Sequence, residues 1–345
     1  MTKADTKELL SQFALANPVD GAVASTIGEG LINESYLIEF ADGARKVLQR
    51  INGTIFPDPD ALMQNFCRVT NHIRSKGAVT LRHTPTSGGE AYYRDAGGAA
   101  WRLLNHLEGT APLAVSASEA QMESAAKAFG VFSRLLADLP QPRLHEVIPG
   151  FHNTRRRFDD FLAAAKDASA ERKQRASREI DAILARQEWC TLISDAVGSG
   201  DVPERVAHND AKLDNVLLRM DNQSATCVID LDTVMPGSIL HDFGDLVRSA
   251  AATAVEDEED LSRIGVSVPR LNALTQGFLA GCGDILTARE RELLPLAGAA
   301  MTYEQAVRFL TDFLCGNPYY KTSKPDHNLH RARNQLHLLG QLEQL

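Results

Sequence analysis

The 345-residue chain has no run of apolar residues approaching the roughly 18 to 20 that a membrane helix requires. Its first residues, MTKADTKELLSQFAL, lack the continuous apolar stretch of an export signal. The expectation is therefore a cytoplasmic protein with no membrane partner. Cysteine is sparse: five residues, at 67, 190, 227, 282 and 315, odd in number and without a CxxC pair. That excludes a disulfide framework and a thiolate metal site, and leaves the cysteines as small buried hydrophobes. Basic residues are outnumbered, 36 Lys and Arg against 45 Asp and Glu, for a formal net charge of −9. A general nucleic-acid or anionic-membrane binder needs clustered cations to meet phosphates, so neither partner is expected. Internal repeats, low-complexity tracts and a Pro/Ser-rich linker are also lacking. What is present is an ordinary folding composition, 44% hydrophobic and 23% charged with 24 Gly and 14 Pro. The length exceeds the roughly 250 to 300 residues at which single cores stop growing, so two lobes are expected.

The chain changes texture along its length. From about residue 20 to 108, AVASTIGEG, ESYLIEF, ARKVLQRIN, AYYRDA and AAWRLLNHL read as short strands separated by Gly, Asp or Asn turns. One helix interrupts them, PDALMQNFCRVTNHIRSKG, with Pro59 near its start, Leu62, Phe66, Val69 and Ile73 at three- and four-residue spacing, and Gly77 at its end. After Thr110 helical periods take over, at 117–138, 152–168, 171–198, 268–280, 287–314 and 328–344. The fold class is α+β: a sheet-rich N-terminal lobe over residues 1–108 and a mainly helical lobe over 109–345, joined at a hinge about 105–109, NHLEG. The charge runs RRR (155–157) and EDEED (256–260) read as solvated faces.

Residues 208–218, HNDAKLDNVLL, gather six polar side chains before an apolar run. NVLLRM and ATCVID read as two strands joined by DNQS, a hairpin loop of common length. With Met220 facing Ala225, Asn215 faces Asp230, and directly opposed Cβ atoms lie roughly 4.5 to 5.5 Å apart. An amide oxygen beside a carboxylate suits Mg²⁺, which completes its octahedron with water and substrate phosphates. Asp210, on the loop into the same end, stands where a base would accept a hydroxyl proton. The plainer alternative is an Asx turn and strand ends. The spacing is that of the HxDxxxxN loop and following strand-ending Asp of eukaryotic-type kinases, although Asn209 replaces Arg and DLD replaces DFG. Upstream, Gly28 and Gly30 lie between two strands, where backbone N–H groups can close over phosphates; a plain glycine turn fits equally. Arg50, in KVLQR, stands in place of a phosphate-pairing Lys, or is a surface ion pair.

HNDAKLDNVLL, CVIDLDTVMPG, HDFGD and the distal VRFLTDFLCGNPYYKTS…NLHRARNQL resemble the aminoglycoside phosphotransferase and choline kinase superfamily, and within it the N-acetylhexosamine 1-kinases. The similarity extends over essentially the whole chain, through GEGLINESY, VLQRIN and WRLLNHLEGT. It implies a bilobal protein-kinase-like fold, ATP with Mg²⁺, and phosphoryl transfer to the anomeric hydroxyl of a GlcNAc- or GalNAc-type sugar. It implies Asp210 as base, Asn215 and Asp230 as metal ligands, and Thr233, Arg308 and Tyr319 as sugar contacts. Adenine is expected against the hinge backbone, with Asn105 and Leu107 as contacts, because a hinge offers free N–H and C=O groups. Each sugar contact has a structural alternative: Thr233 bonding within its turn, Arg308 pairing with Asp312, Tyr319 packing with Tyr320. Where the superfamily has HGD this chain has HND, and the larger Asn209 is expected to narrow the acceptor pocket. Asp242 and Asp245 are assigned to scaffolding, with a bond to the catalytic-loop backbone, while Asp232 stays open between metal, sugar and structure. Rival functions are a kinase of another small alcohol (an amino sugar, aminoglycoside or choline-like acceptor) and a nucleotide-binding pseudokinase. No oligomeric state is read from the sequence.

Overall fold

The computed structural model describes residues 3–27, 32–113 and 117–345. The chain packs as two units, one of Met1–Thr110, Asp138–Pro149 and Ile229–Val234, the other of Ala111–Ala137, Gly150–Val228 and Met235–Leu345.

In the first unit the alternating segments form an antiparallel sheet. Helix α1 (Lys3–Leu10) precedes β1 (Val23–Thr26), β2 (Glu34–Glu39) and β3 (Arg45–Arg50); helix α2 (Pro59–Ser75) is followed by the short β4 (His83–Thr84) and β5 (Tyr93–Arg94) and by β6 (Ala100–Asn105). The order is β1-β2-β3-β6-β4, with β5 paired to β6. Successive side chains of a strand point to opposite faces, so each cross-strand pair belongs to one face. Leu48 opposes Leu103, and both join Leu10, Phe13, Ile38, Phe40 and Trp101 in one core. The adjacent pair, Gln49 and Arg102, occupies the other face, where the Arg102 guanidinium lies 5.4 Å from the Phe66 ring of α2. The start of α2 is capped by the Asp58 carboxylate, which accepts from the Ala61 N–H, with Pro59 in the first turn.

The second unit carries β7 (Thr110–Pro112), α3 (Glu119–Leu136), α4 (Thr154–Asp167), α5 (Ala170–Arg175), α6 (Ser177–Leu184) and α7 (Leu192–Gly198). There follow β8 (Arg205–Ala207), β9 (Val216–Arg219), β10 (Ala225–Val228), β11 (Met235–Gly237), α8 (Ile239–Leu246), α9 (Val268–Cys282), α10 (Ala288–Cys315) and α11 (His327–Leu342). Its main apolar cluster joins Phe158 and Phe161 of α4 to Tyr303, Val307, Leu310 and Phe313 of α10 and Leu329 and Leu339 of α11. Helices α3 and α9 meet through glycine: a methyl group on Gly277 would lie 2.1 Å from the Glu123 carbonyl oxygen, a separation no side chain tolerates.

The expected α+β architecture, sheet-rich then helical, is the one observed. The periodic stretch 171–198 is not one helix but α5, α6, a 3₁₀ turn at Gln187–Cys190 and α7. The turn buries Cys190, while the Trp189 indole N–H reaches Glu343 at 3.0 Å. Helices α1 and α8 were not expected.

Candidate active site

The 208–215 loop leaves β8, which pairs with β11 through Ala207↔Met235, Val206↔Pro236 and Arg205↔Gly237. His208 is fully buried, its ring meeting Phe129 and Phe132 edge-on at 5.3 and 5.9 Å. The N–H groups of His208 and Asn209 donate to the two carboxylate oxygens of Asp242, at 2.9 and 2.7 Å. The expected bond from HDFGD to the loop backbone is therefore present; Asp242 supplies it from α8, whose start is capped by Ser238. Asn209 adopts a left-handed φ of 62°, and its amide Nδ2 donates to the carbonyls of Ala207 at 3.1 Å and Met235 at 3.3 Å. A methyl group at Gly237 would lie 2.4 Å from Asn209 Oδ1. The Asn209 side chain thus fills a glycine-made space between β8 and β11. This corrects the expectation that it narrows an acceptor pocket.

Asp210, the residue expected to act as base, keeps a side chain 26% exposed, with Oδ1 2.6 Å from the Lys212 ammonium. Burial alone would raise its pKa, but Lys212, His208 and Arg248 outweigh it and hold the carboxyl below its ordinary range. Lys212 was quoted in the motif but given no role; burial opposes its charge, and Asp210 and Asp245 more than restore it. Asn215 Nδ2 donates to the Asp210 carbonyl at 2.9 Å and lies 3.4 Å from Asp210 Oδ2. With the nitrogen spent there, Oδ1 is the atom Asn215 offers a cation.

The hairpin register differs from the expected one. Val216 pairs with Val228 and Leu217 with Cys227; an irregularity follows, and Ala225 pairs with Leu218 rather than Met220. The slip of two residues arises at the turn, and a bulge at Thr226 reduces it to one, so that Val228, the last residue of β10, opposes Val216. Asn215 consequently sits in a 3₁₀ turn, Leu213–Asn215. Asp230 is not a strand residue but a left-handed one, φ 55° and ψ 60°, leading into the turn Leu231–Thr233.

That turn belongs to the first unit. Both oxygens of Asp232 are filled there: Arg102 forks onto them at 2.6 and 2.9 Å, and Asn33 Nδ2 adds a bond at 2.6 Å. Arg102 also donates to Gln49 at 2.9 Å. With Arg102 and Asp232 only 2% and 3% exposed, Asp232 is a buried structural anion, which resolves its three-way ambiguity. Thr233 is buried beside it. Asn65 of α2 binds the Val234 carbonyl at 3.2 Å and both backbone groups of His145, at 2.8 and 3.0 Å.

In the second unit Arg308 and Tyr319 come together. The Arg308 guanidinium lies over the Phe151 ring at 5.2 Å and the Tyr320 ring at 5.8 Å. Tyr319, 57% exposed, meets Tyr320 edge-on at 4.9 Å. Asp312 is not the partner of Arg308: its oxygens accept the N–H groups of Tyr319 and Tyr320 at 2.8 and 3.0 Å and fix their turn. Phe151 also adjoins His152, whose Nε2 lies 2.8 Å from the Asn209 carbonyl oxygen. A continuous path of contacts therefore joins the 208–215 loop to Arg308. His152 was missed because it is 57 residues from Asn209 in sequence.

Of the nucleotide candidates, Gly28 and Gly30 lie outside the described residues. Arg50 shares a face with Leu48 and Trp101, opposite to that of Arg102, and its Nη1 is 2.7 Å from the exposed Glu34, the ion pair that was one of its two readings. At the hinge, the Asn105 N–H already donates to the Arg82 carbonyl at 2.9 Å, and the Leu107 carbonyl accepts the Thr110 hydroxyl at 2.7 Å.

Among the described residues no three His, Cys, Asp or Glu side chains cluster as a metal cage. Asn215 and Asp230 are each hard-oxygen donors of the kind Mg²⁺ takes alongside water and phosphate. No helix among the described residues is long and apolar enough to cross a membrane.

A sheet-rich region followed by a helical one bearing an HxDxxxxN loop is a kinase-like arrangement. The chain belongs to the phosphotransferase enzyme family, which matches residues 23–268, and is a phosphotransferase. Its fold is similar to spectinomycin phosphotransferase in complex with ADP and spectinomycin, at a TM-score of 0.62 and 12% identity over 100% of this chain and 99% of that one. It is similar to an amicoumacin kinase bound to AMP-PNP and Ca²⁺, at a TM-score of 0.60 and 11% identity over 97% and 92%. Plasmodium vivax ethanolamine kinase matches at a TM-score of 0.56 and 13% identity over 92% and 83%. At such identities the likeness is one of fold.

Proposed function

We propose that the protein transfers the γ-phosphoryl group of ATP to the anomeric hydroxyl of an N-acetylhexosamine of the GlcNAc or GalNAc type. The observation that carries the acceptor class is the surface around Phe151. Arg308 lies over its ring, and Arg157 donates to its carbonyl at 3.2 Å. Burial and the nearby Arg308 lower the pKa of the Arg157 guanidinium. The carboxylate nearest these arginines, Glu304, is committed to His152 and the Thr154 hydroxyl. The two guanidiniums repel a cationic acceptor, and with the tyrosine pair they offer directional donors and an aromatic face to a neutral sugar.

The chemistry is mostly positioning and charge. Asp210 orients the attacking hydroxyl and takes its proton; its low pKa keeps it ionised before the hydroxyl arrives. Lys212, paired with Asp210, stabilises negative charge on the transferring group. Asn215 and Asp230 are the donors assigned to Mg²⁺, which supplies neutralisation of the phosphate oxygens. Gly28 and Gly30 keep the phosphate-covering role that the family resemblance implies, Thr233 its sugar contact, and residues 105–108 the adenine contact.

The test is acceptor-dependent ADP release across GlcNAc, GalNAc, amino sugars, aminoglycosides, choline and ethanolamine, with the phosphate position read by ³¹P and ¹H NMR. The expected product is a sugar 1-phosphate. Preference for a cationic acceptor would replace this proposal with an amino-alcohol kinase, the alternative favoured by the spectinomycin and ethanolamine enzymes of similar fold. ATP consumption with no acceptor dependence would indicate a nucleotide-binding protein without transfer.

A further inference from the structure

We propose that His152 is a buried imidazolium whose second ring proton fixes the peptide plane carrying Asp210, making it a positioning residue for phosphoryl transfer. This rests on Asp210 being the proton acceptor. The protonation follows from hydrogen-bond directionality. His152 Nε2 lies 2.8 Å from the Asn209 carbonyl oxygen, an atom that only accepts, so Nε2 carries a proton. His152 Nδ1 lies 2.7 Å from Glu304 Oε1, and the other Glu304 oxygen accepts the Thr154 hydroxyl. With Arg308 nearby and the Thr154 hydroxyl donating to it, Glu304 is held as the carboxylate, an acceptor on both sides, so Nδ1 is a donor as well. The two side chains are 6% and 1% exposed, and water does not compete for either bond.

The surroundings agree. The charged and titratable groups facing this imidazole are Glu304 and Arg308 on α10 and Asp242 and His241 on α8. Burial, together with the His152 charge, pushes His241, whose ring is 4.8 Å away, down to about 3. Burial would raise Glu304, but His152, Arg308 and Thr154 bring it down to about 2. One cation and one anion are thereby locked together beside a neutral second imidazole.

The bond falls where the loop needs it. Asn209 holds a left-handed backbone, which a non-glycine residue keeps only where its surroundings fix it. Its N–H is held by Asp242 and its side chain by Ala207 and Met235. Its carbonyl, half of the peptide group leading into Asp210, is held by His152. The N–H of the same peptide group donates to His208 Nδ1 at 3.3 Å, so losing the His152 bond removes the shorter of two ties, and the carboxylate loses part of its aim while the binding surfaces stay in place.

The test has two arms, both on the full chain. In ¹⁵N-histidine spectra, with His152 assigned by its loss in His152→Gln, both ring nitrogens should appear protonated from pH 6 to 9. A ring nitrogen in the unprotonated range at pH 8 overturns the imidazolium, whatever the acceptor proves to be. In kinetics with the best acceptor of the panel, His152→Gln should lower kcat about 10- to 100-fold while KM for ATP and acceptor stay within twofold. Glu304→Gln, which leaves the Nε2 proton on Asn209, should lower kcat less and remove one ring proton from the spectrum. Equal losses in both variants, or a KM rise matching the kcat fall, overturn the positioning role. Should His152→Gln fail to fold, the wild-type and Glu304→Gln spectra still decide the protonation.

Discussion

Asp232 in the first unit and Asp210 in the second each sit beside a cation, and they differ in what is left over. Asp232 and its partner Arg102 are 3% and 2% exposed, with both carboxylate oxygens filled by the guanidinium and one of them also by Asn33. A planar fork matched to a carboxylate in a dry interior is a fixed joint. Asp210 and Lys212 are 26% and 35% exposed, and the ammonium takes one oxygen as a point charge. The other oxygen has only the 3.4 Å approach of Asn215. The same residue type is structure where its acceptor capacity is exhausted and chemistry where some remains.

The contrast is tested most severely at Asp210 itself. Asp210→Asn keeps the shape and removes the proton acceptor; kcat should fall about 10²- to 10⁴-fold, with the urea unfolding midpoint unchanged. Activity close to wild type, with chemistry rate-limiting, would remove the base assignment. Arg102→Ala should do the reverse, stranding a buried carboxylate at a cost of about 3 to 5 kcal/mol in urea unfolding. Combining Arg102→Met with Asp232→Leu should recover most of that loss, because an apolar pair leaves no charge unmatched. Lys212→Ala lies between them. Stability should drop by no more than about 1 kcal/mol, since the pair is partly solvated, while kcat falls about 10²-fold. The pH profile carries a sign. Lys212 depresses the Asp210 pKa in the folded protein, so the base is ionised down to low pH and is lost only as pH falls through that depressed value. Removing Lys212 should move the acid limb of kcat/KM to higher pH; an unmoved limb separates the two residues.

What could be read from the sequence was local. The HNDAKLDN spacing placed Asp210, Lys212 and Asn215 on one loop, and HDFGD announced Asp242 as a support for its backbone. The strand alternation and the 59–75 helix were equally plain, because periodicity and caps are properties of neighbours. Hairpin register was not: Ala225 opposes Leu218 rather than Met220, the bulge at Thr226 takes back only one of those two residues, and a slip of one changes every opposed pair. Pairs that span 130 residues, Arg102 with Asp232, or 152, His152 with Glu304, leave no trace in spacing. Helix α8 was missed because it is only eight residues long, and its polar residues His241, Asp242 and Asp245 were read as a scaffolding motif rather than as one face of a helix.

Arg50 gives the smallest expected effect. Its two readings are a phosphate contact, because KVLQR occupies the position of a strand that bears a phosphate-pairing lysine, and a surface ion pair. A strand, however, assigns its faces by parity. Gln49 opposes Arg102 and Arg50 opposes Trp101, so the face that meets Asp232 is the one Arg50 does not share. Its observed partner is Glu34, and the two side chains are 46% and 52% exposed, a setting in which an ion pair contributes little. Arg50→Ala should therefore leave KM for ATP within about twofold, whereas Gln49→Ala, which removes a partner of buried Arg102, should cost more stability. A KM rise of tenfold or more on Arg50→Ala, with stability unchanged, would return the guanidinium to the phosphates and show that the chain near it rearranges when nucleotide binds.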